Sequence, residues 1–335
     1  MRIAVIGAGA IGATLAALLD RAGHTVEATA RGERLAAMQS DGIRLSGAWG
    51  KHVARVAVAE RLAMRPDLAL LCVKAQDEEE AIRANAALLD GVPLVVVQNG
   101  LDGVVRAESV RHGALTTGAP TVGAIAFFSA DCPAAGEVRV LVPGPLYLGA
   151  GDGEPSPDAV AAARTLADAI PARAVRNFAG CQWTKLVVNQ INAMPAVTGM
   201  SVQATLGDRT LRAVVLESIR EAIRVGRKQG LAFGSLEGMT PLTLAVLGSA
   251  PRAVGRVLLG IMARRLGTEP VLGSTLQSVQ RGAPTEIDHL NGAVVERARA
   301  VGVEAPVNAA LTELVHEVER TRRFFTPAEV AARLG

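Results

Sequence analysis

Cysteine is scarce in this 335-residue chain: Cys72, Cys132 and Cys181 stand far apart and form no C-x-x-C pair. An odd, scattered set excludes a disulfide framework and points to a reducing compartment, the cytoplasm. Histidine is equally thin. His24, His52, His112, His289 and His316 make no H-x-x-x-H pair, so no metal site is expected. Aromatic residues are 3% of the chain, too few for a base-stacking platform, and the net charge is +3 with acids and bases interspersed. Neither feature calls for nucleic acid or a membrane as partner, and an anionic cofactor and substrate account for the small basic excess. Outside residues 3–19 no apolar run reaches bilayer-spanning length. That early uncharged stretch could pass for a signal-peptide core, but its glycines and its use in a βαβ unit argue against export.

Half of the residues are hydrophobic, ample for one large core or two domains. The most informative stretch is the first. Ile3–Ile6 reads as a short buried strand, and Gly7, Gly9 and Gly12 follow in G-x-G-x-x-G spacing before an alanine- and leucine-rich helix over Ala13–Ala22. Gly7 allows the tight turn, Gly9 lets the backbone approach a pyrophosphate, and Gly12 lets the helix pack closely on the strand. The helix N-terminus adds N–H donors and a positive dipole end. A second strand, Gly23–Ala30, follows, and this context separates a dinucleotide site from an ordinary glycine turn.

The end of that second strand bears on the nucleotide. An acid about 20 residues beyond the glycines takes the 2′-hydroxyl of NAD, but Ala30 stands there, with Arg31 next and Arg34 in the following turn. A guanidinium grips a 2′-phosphate with paired hydrogen bonds, which makes NADP(H) the expected cofactor. The competing reading is that Glu27 does the acidic job and the arginines only solvate a loop.

Gly42–Leu45 and Val53–Val58 alternate like a half-exposed hairpin. Asp67–Val73 and Pro93–Val97 read as buried parallel strands that carry Lys74 and Asn99 at their carboxyl ends, where open α/β sheets bind ligands. Closing strands are expected in Thr116–Phe128, Gly136–Val142 and Leu146–Gly149, then a helix over Pro157–Ala169 and a strand near Ala174. Helical periodicity dominates after that, so the domains are drawn as 1–177 and 178–335.

In the second domain Lys185, Asn189 and Asn192 stand at i, i+4 and i+7, on one face of a single helix otherwise filled by Leu186, Val187 and Val188. A lysine and two asparagines in line make poor core and favour a cleft, although exposed polar stripes are common. Asp208–Gln229 reads as a long amphipathic scaffold helix. Ser274-Thr-Leu-Gln277 reads as a capping box and Glu286 as a first-turn acid of the next helix, while Thr326-x-x-Glu329 opens a last helix after one led by Pro306.

Taken in order, Ile6–Gly12, Ala30–Arg34, Val73–Asp77, Gln98–Leu101, Trp183–Leu186 with Asn189, Ser274–Gln277, and Thr285–Asp288 with Asn291-Gly292 resemble the ketopantoate reductase family over nearly the whole chain. The resemblance implies an α/β fold with an N-terminal Rossmann-type dinucleotide-binding domain followed by an all-helical C-terminal domain. It implies NADPH-dependent reduction of a 2-keto acid, with Lys185 as the catalytic lysine and Glu286 as the acid that hydrogen-bonds substrate. Asn99, Asn189, Asn192 and Ser274 are then substrate contacts. Gly7, Gly9, Ala10, Ile11, Gly12, Arg31, Lys74, Asn99, Ala124 and Glu286 lie on the cofactor side. The chain departs from the family pattern at Ser278, where an acid commonly follows the Leu-Gln pair, and in a long Leu231–Pro270 stretch. Another oxo acid, an imine, or a non-catalytic NADP(H) sensor are the rival readings, and assembly into a homodimer is left open.

Overall fold

A computed structural model describes residues 1–113, 118–267 and 269–334 of the chain. Two compact units divide it, Met1–Ala179 and Gly180–Gly335. The first holds strands β1 (Arg2–Ile6), β2 (Thr25–Thr29), β3 (Ile43–Gly47), β4 (His52–Ala54), β5 (Ala57–Ala59), β6 (Leu68–Leu71), β7 (Leu94–Val97), β8 (Thr121–Ala126), β9 (Ser129–Asp131), β10 (Glu137–Val142), β11 (Leu146–Gly149) and β12 (Ala172–Ala174). Its helices are α1 (Ala10–Arg21), α2 (Gly32–Asp41), α3 (Glu78–Ala84), α4 (Ala86–Leu89), α5 (Gly103–Gly113) and α6 (Pro157–Ala167).

The main sheet runs β12-β11-β8-β7-β6-β1-β2-β5. From β5 to β8 every pairing is parallel, β11 is antiparallel to β8, and β12 is parallel to β11. The chain leaves β1 toward β2 and returns on its other side at β6. Such a switch point opens a crevice at the carboxyl ends of the strands, where Rossmann sheets take nucleotides. β1, β6 and β7 are buried on both faces, which is why they read as unbroken apolar runs.

The expected hairpin forms only in part. β3 and β4 pair antiparallel, but β5 leaves them and extends the main sheet beside β2. β3 instead takes β10 as its other neighbour, in a second sheet ordered β4-β3-β10-β9. Gly47 permits this approach, because a Cβ there would lie 2.2 Å from the Val140 carbonyl oxygen. α1 packs against strands of both sheets, and every residue from Gly12 to Leu19 is buried. A helix enclosed on all sides must be apolar all round, which explains the signal-peptide look of this segment. The strand expected from Thr116 is seen from Thr121; Thr116 and Thr117 lie outside the described residues.

The second unit comprises α7 (Phe178–Asn189), which starts just before it, α8 (Ala193–Thr198), α9 (Val202–Gly207), α10 (Arg209–Lys228), α11 (Pro241–Ser249), α12 (Arg252–Arg265), α13 (Ser274–Gln280), α14 (Asn291–Ala300), α15 (Pro306–Thr321) and α16 (Pro327–Leu334). α10 is the scaffold on which α9, α11, α12, α14, α15 and α16 pack. Asp208 starts it, its carboxylate accepting from the N–H groups of Thr210 (2.8 Å) and Leu211 (2.9 Å). Leu211, Val215, Ile219, Ala222 and Ile223 form its buried stripe. The last helix opens on a formed capping box: Glu329 N–H donates to the Thr326 hydroxyl at 3.3 Å, and Thr326 N–H to the Glu329 carboxylate at 2.8 Å. Among the described residues no helix is long and apolar enough to cross a membrane, and none of the three cysteines is in a disulfide.

Candidate active site

The glycine turn is shaped by contacts that only glycine permits. Gly7 sits at φ +99°, and a Cβ on it would lie 2.6 Å from Val73 Cγ1 and 2.9 Å from Val73 N. A Cβ on Gly12 would lie 2.0 Å from the Gly7 carbonyl oxygen, so α1 could not approach β1 with any other residue there. Gly9 differs: nothing lies within 4 Å of where its Cβ would be, and it precedes α1 without a side-chain cap. Thr29 pins the turn, its hydroxyl accepting from Gly7 N–H (2.9 Å) and its carbonyl from Ala8 N–H (2.7 Å). An open glycine at a helix N-terminus, with the first-turn N–H groups of Ala10 and Ile11 lacking intrahelical acceptors, fits a pyrophosphate.

The two candidates for the ribose have different fates. Glu27 is buried, its carboxylate accepting from the N–H groups of Ala63 (2.6 Å) and Met64 (3.2 Å), so it is engaged in holding that turn. Arg31 lies at the N-terminal boundary of α2 and forms a 2.8 Å ion pair with Glu80, the two side chains 59% and 66% exposed. An ion pair this exposed contributes only about 0–1 kcal/mol, so a nucleotide phosphate can compete for the guanidinium.

Lys74 and Asn99 follow β6 and β7 at adjacent strand ends, and both are half-buried. The side chain of Gln98 ties those ends together, donating to the Val73 carbonyl at 3.0 Å. Beneath them the Arg106 guanidinium meets the buried Glu78 carboxylate at 3.0 Å. Burial raises the Glu78 pKa, and the charge of Arg106 and hydrogen bonds from Arg106 and Gln98 counter that only in part. Glu78, Arg106 and Thr29 have no local signature, so sequence reasoning missed them; Gln98 was read only as part of the Gln98–Leu101 motif. Ala124 pairs with Val97 and Leu148 and its methyl lies in the core, which leaves only main chain there for a cofactor.

In the helical unit Trp183 anchors α7. It is 1% exposed, and its indole N–H donates to the Ala222 carbonyl on α10 at 3.0 Å. Gly226 makes room, since a Cβ there would lie 2.4 Å from that nitrogen. Burying a ring of this size stabilises by roughly 4–6 kcal/mol at most. Thr184 adds hydrogen bonds to the carbonyls of Gly180 (3.0 Å) and Gly234 (2.8 Å). The next residue is Lys185, half-buried, whose ammonium burial pushes down from 10.5 to about 8.

The single helix face expected for Lys185, Asn189 and Asn192 is not what forms. α7 ends at Asn189, and Gln190–Asn192 tightens into a 3-10 turn before α8. The fully buried Gln190 donates to the Leu186 carbonyl at 2.9 Å and accepts from Ser218 at 3.2 Å. Asn192 then lies beside Asn189, donating to its side-chain oxygen at 3.4 Å. Asn192 also abuts the start of α13: a Cβ on Gly273, at φ +71°, would lie 2.9 Å from Asn192 Oδ1. For that reason glycine precedes α13; Ser274 is its exposed first residue, and the expected Ser-x-x-Gln box does not form. Asn189, Asn192 and the start of Ser274's helix are thus brought together. Glu286 is half-buried and precedes a 3-10 turn, Ile287–His289; α14 begins only at Asn291, so Glu286 is not its first-turn acid.

A turn fitted to a dinucleotide and a lysine whose pKa burial lowers to about 8 are the equipment of a reductase, and the chain is an NAD(P)H-dependent enzyme of the 2-oxoacid reductase class. The family model for ketopantoate reductase PanE/ApbA matches residues 3–153, and that for the C-terminal domain of the same family matches residues 177–319. The chain therefore belongs to the ketopantoate reductase family. It is 31% identical over 336 residues to a 2-dehydropantoate 2-reductase of Halobacterium salinarum, covering 96% of this chain and 99% of that one. Among solved structures it is similar to the PanE/ApbA family ketopantoate reductase of Ralstonia eutropha JMP134, with a TM-score of 0.78, 26% identity, and 96% and 99% of the two chains covered. It shares its fold with D-mandelate dehydrogenase solved with NADH and anilino(oxo)acetate, at a TM-score of 0.77 and 20% identity over 97% of this chain and all of the other.

Proposed function

We propose that this chain reduces a 2-keto acid to a 2-hydroxy acid with NADPH, ketopantoate to pantoate being the favoured reaction, and that Lys185 is the general acid. The observation that carries this reading is the lowered pKa of Lys185, at about 8, on a helix end that also carries Asn189. When bound, NADPH supplies the hydride. Negative charge then develops on the ketone oxygen, where the Lys185 ammonium stabilises it and delivers the proton. A pKa near the working pH suits that task, since the group is both charged and ready to release. Glu286 orients the lysine or accepts a hydrogen bond from a substrate hydroxyl. Asn99, Asn189, Asn192 and Ser274 supply uncharged donors for the substrate carboxylate and oxygen atoms. Arg31 takes the 2′-phosphate, with Lys74 on the cofactor side; the engagement of Glu27 elsewhere supports NADPH over NADH.

Another 2-oxo acid is the second reading, supported by Ser278 in place of the acid common in the family. Steady-state oxidation of NADPH and NADH against ketopantoate and a panel of 2-oxo acids tests both. The highest kcat/KM is expected with NADPH and ketopantoate. A higher value with another acid replaces the substrate, and no turnover with any of them overturns the reading.

A further inference from the structure

Glu286 lies on a turn whose neighbouring residues on either side are held by side chains of α15. Thr285 N–H donates to Glu319 Oε1 at 2.7 Å on one side of Glu286, and Asp288 Oδ1 meets His316 Nε2 at 2.9 Å on the other. His316 Nδ1 meets Glu319 Oε2 at 2.7 Å and joins the two attachments. Thr285 further accepts from Ile287 N–H at 3.3 Å. Both ring nitrogens of His316 therefore face carboxylate oxygens, which only accept. A neutral imidazole has one N–H and satisfies one of them, leaving a lone pair against the other; the imidazolium has two and satisfies both.

We propose that His316 and Glu319 are positioning residues for Glu286, clamping the Thr285–Asp288 turn through Asp288 and Thr285, and that the clamp is complete only while the His316 ring carries both protons. This rests on the role assigned above to Glu286. Other charges near the ring are Glu313, Glu317 and Arg320 on its own helix and Arg333 on α16, the last paired with Glu317 at 3.1 Å. α8, packed on the same helix, brings no charge, and Glu221 of α10 is engaged by Val307 and Asn308 at the far end of α15. Glu296, Arg297 and Arg299 of α14 are not among the groups that shift the ring. Burial disfavours the charged ring, but its hydrogen bonds and charge pairing with Glu319 and Asp288 outweigh that, and its pKa is raised above 6.5. Burial likewise opposes the charged Glu319, but the Thr285 N–H and His316 win and lower its pKa. Since the folded pKa of the ring is raised, the clamp is at full strength below the unfolded value and is lost as pH rises through the folded one.

Amide hydrogen exchange of the Thr285–Leu290 segment in the full chain, corrected for intrinsic pH dependence, tests this alongside the ring titration followed by NMR. Protection in the unsubstituted protein is expected to drop about tenfold as the ring loses its proton. In His316→Phe it should be low at every pH while the rest of α15 stays protected. Glu319→Gln keeps an acceptor for Thr285 N–H but removes the charge, so the drop should move to lower pH. At pH 6, His316→Phe should lower kcat several-fold with the KM for NADPH unchanged. Protection independent of pH in the unsubstituted protein, or unchanged in His316→Phe, overturns the clamp. Full turnover in Glu286→Gln overturns instead the role of Glu286, and the exchange data then decide the clamp separately.

Discussion

The two units carry chemistry in different materials. In the first, the work falls to main chain: Gly7, Gly9 and Gly12 matter for the side chains they lack, and Thr29 holds their turn by hydrogen bonds to backbone N–H groups. In the helical unit the proposed groups are side chains, Lys185 and Asn189 on α7, Asn192 on the turn after it and Glu286 on a later turn, among partners such as Trp183, Gln190 and Glu319. A nucleotide pyrophosphate is the same in every such enzyme and can be met by a fixed backbone shape, whereas a substrate differs and must be met by side chains.

The sharpest way to break this contrast is Lys185→Ala. Losing a general acid that also stabilises the oxyanion is expected to lower kcat about 10²–10⁴-fold, while NADPH affinity, measured by fluorescence titration, stays within a factor of two or so of its original value. An equal loss of both would show that the lysine belongs to the cofactor site. Next in size is Arg31→Ala, which removes charge-assisted hydrogen bonds to a 2′-phosphate. A roughly 10–100-fold rise in the KM for NADPH is expected with little change for NADH, and parallel changes for both nucleotides would refute that contact. The pH profile comes third. The lowered pKa of Lys185 means its acid form is present below about 8 and lost above it, so kcat/KM should fall about tenfold per unit above that pH, a steeper limb than the several-fold step expected as His316 loses its proton. A limb near 10.5 would instead mark a solvated lysine. The smallest effect is Glu80→Gln, which frees Arg31 from its exposed ion pair. The preference for NADPH over NADH should strengthen by no more than about fivefold, since such pairs contribute about 0–1 kcal/mol.

How legible each feature was follows from how local its cause is. The Thr326–Glu329 box involves residues three apart, and it formed where their spacing put it. Lys185 stood out because a charge among Leu186, Val187 and Val188 breaks the apolar pattern. Asn192 was misjudged because the turn after Asn189 tightens around Gln190, whose partner Ser218 lies 28 residues away. Ser274 is the first residue of α13 rather than its cap, and Gly273 before it packs against Asn192, far away in the chain. Nothing near Glu286 in the chain announces His316 or Glu319.

The amino-acid sequence by itself determined the strand–glycine–helix entry to the dinucleotide site, the change from sheet to helix near residue 177, and the place of Lys185 in an apolar helical run. Each depends on periodicity or spacing within a few turns, where backbone geometry is the same in any fold. Tertiary structure alone decided that Glu27 holds the Ala63–Met64 turn rather than a ribose, that α1 lies between two sheets, and that β5 leaves its hairpin for the main sheet. It also decided that a histidine joins Asp288, on the Glu286 turn, to Glu319 of α15. The physical reason is common to all of these: a buried polar group or an all-apolar helix takes whichever partner the folded chain brings to it, and that partner is far away in sequence.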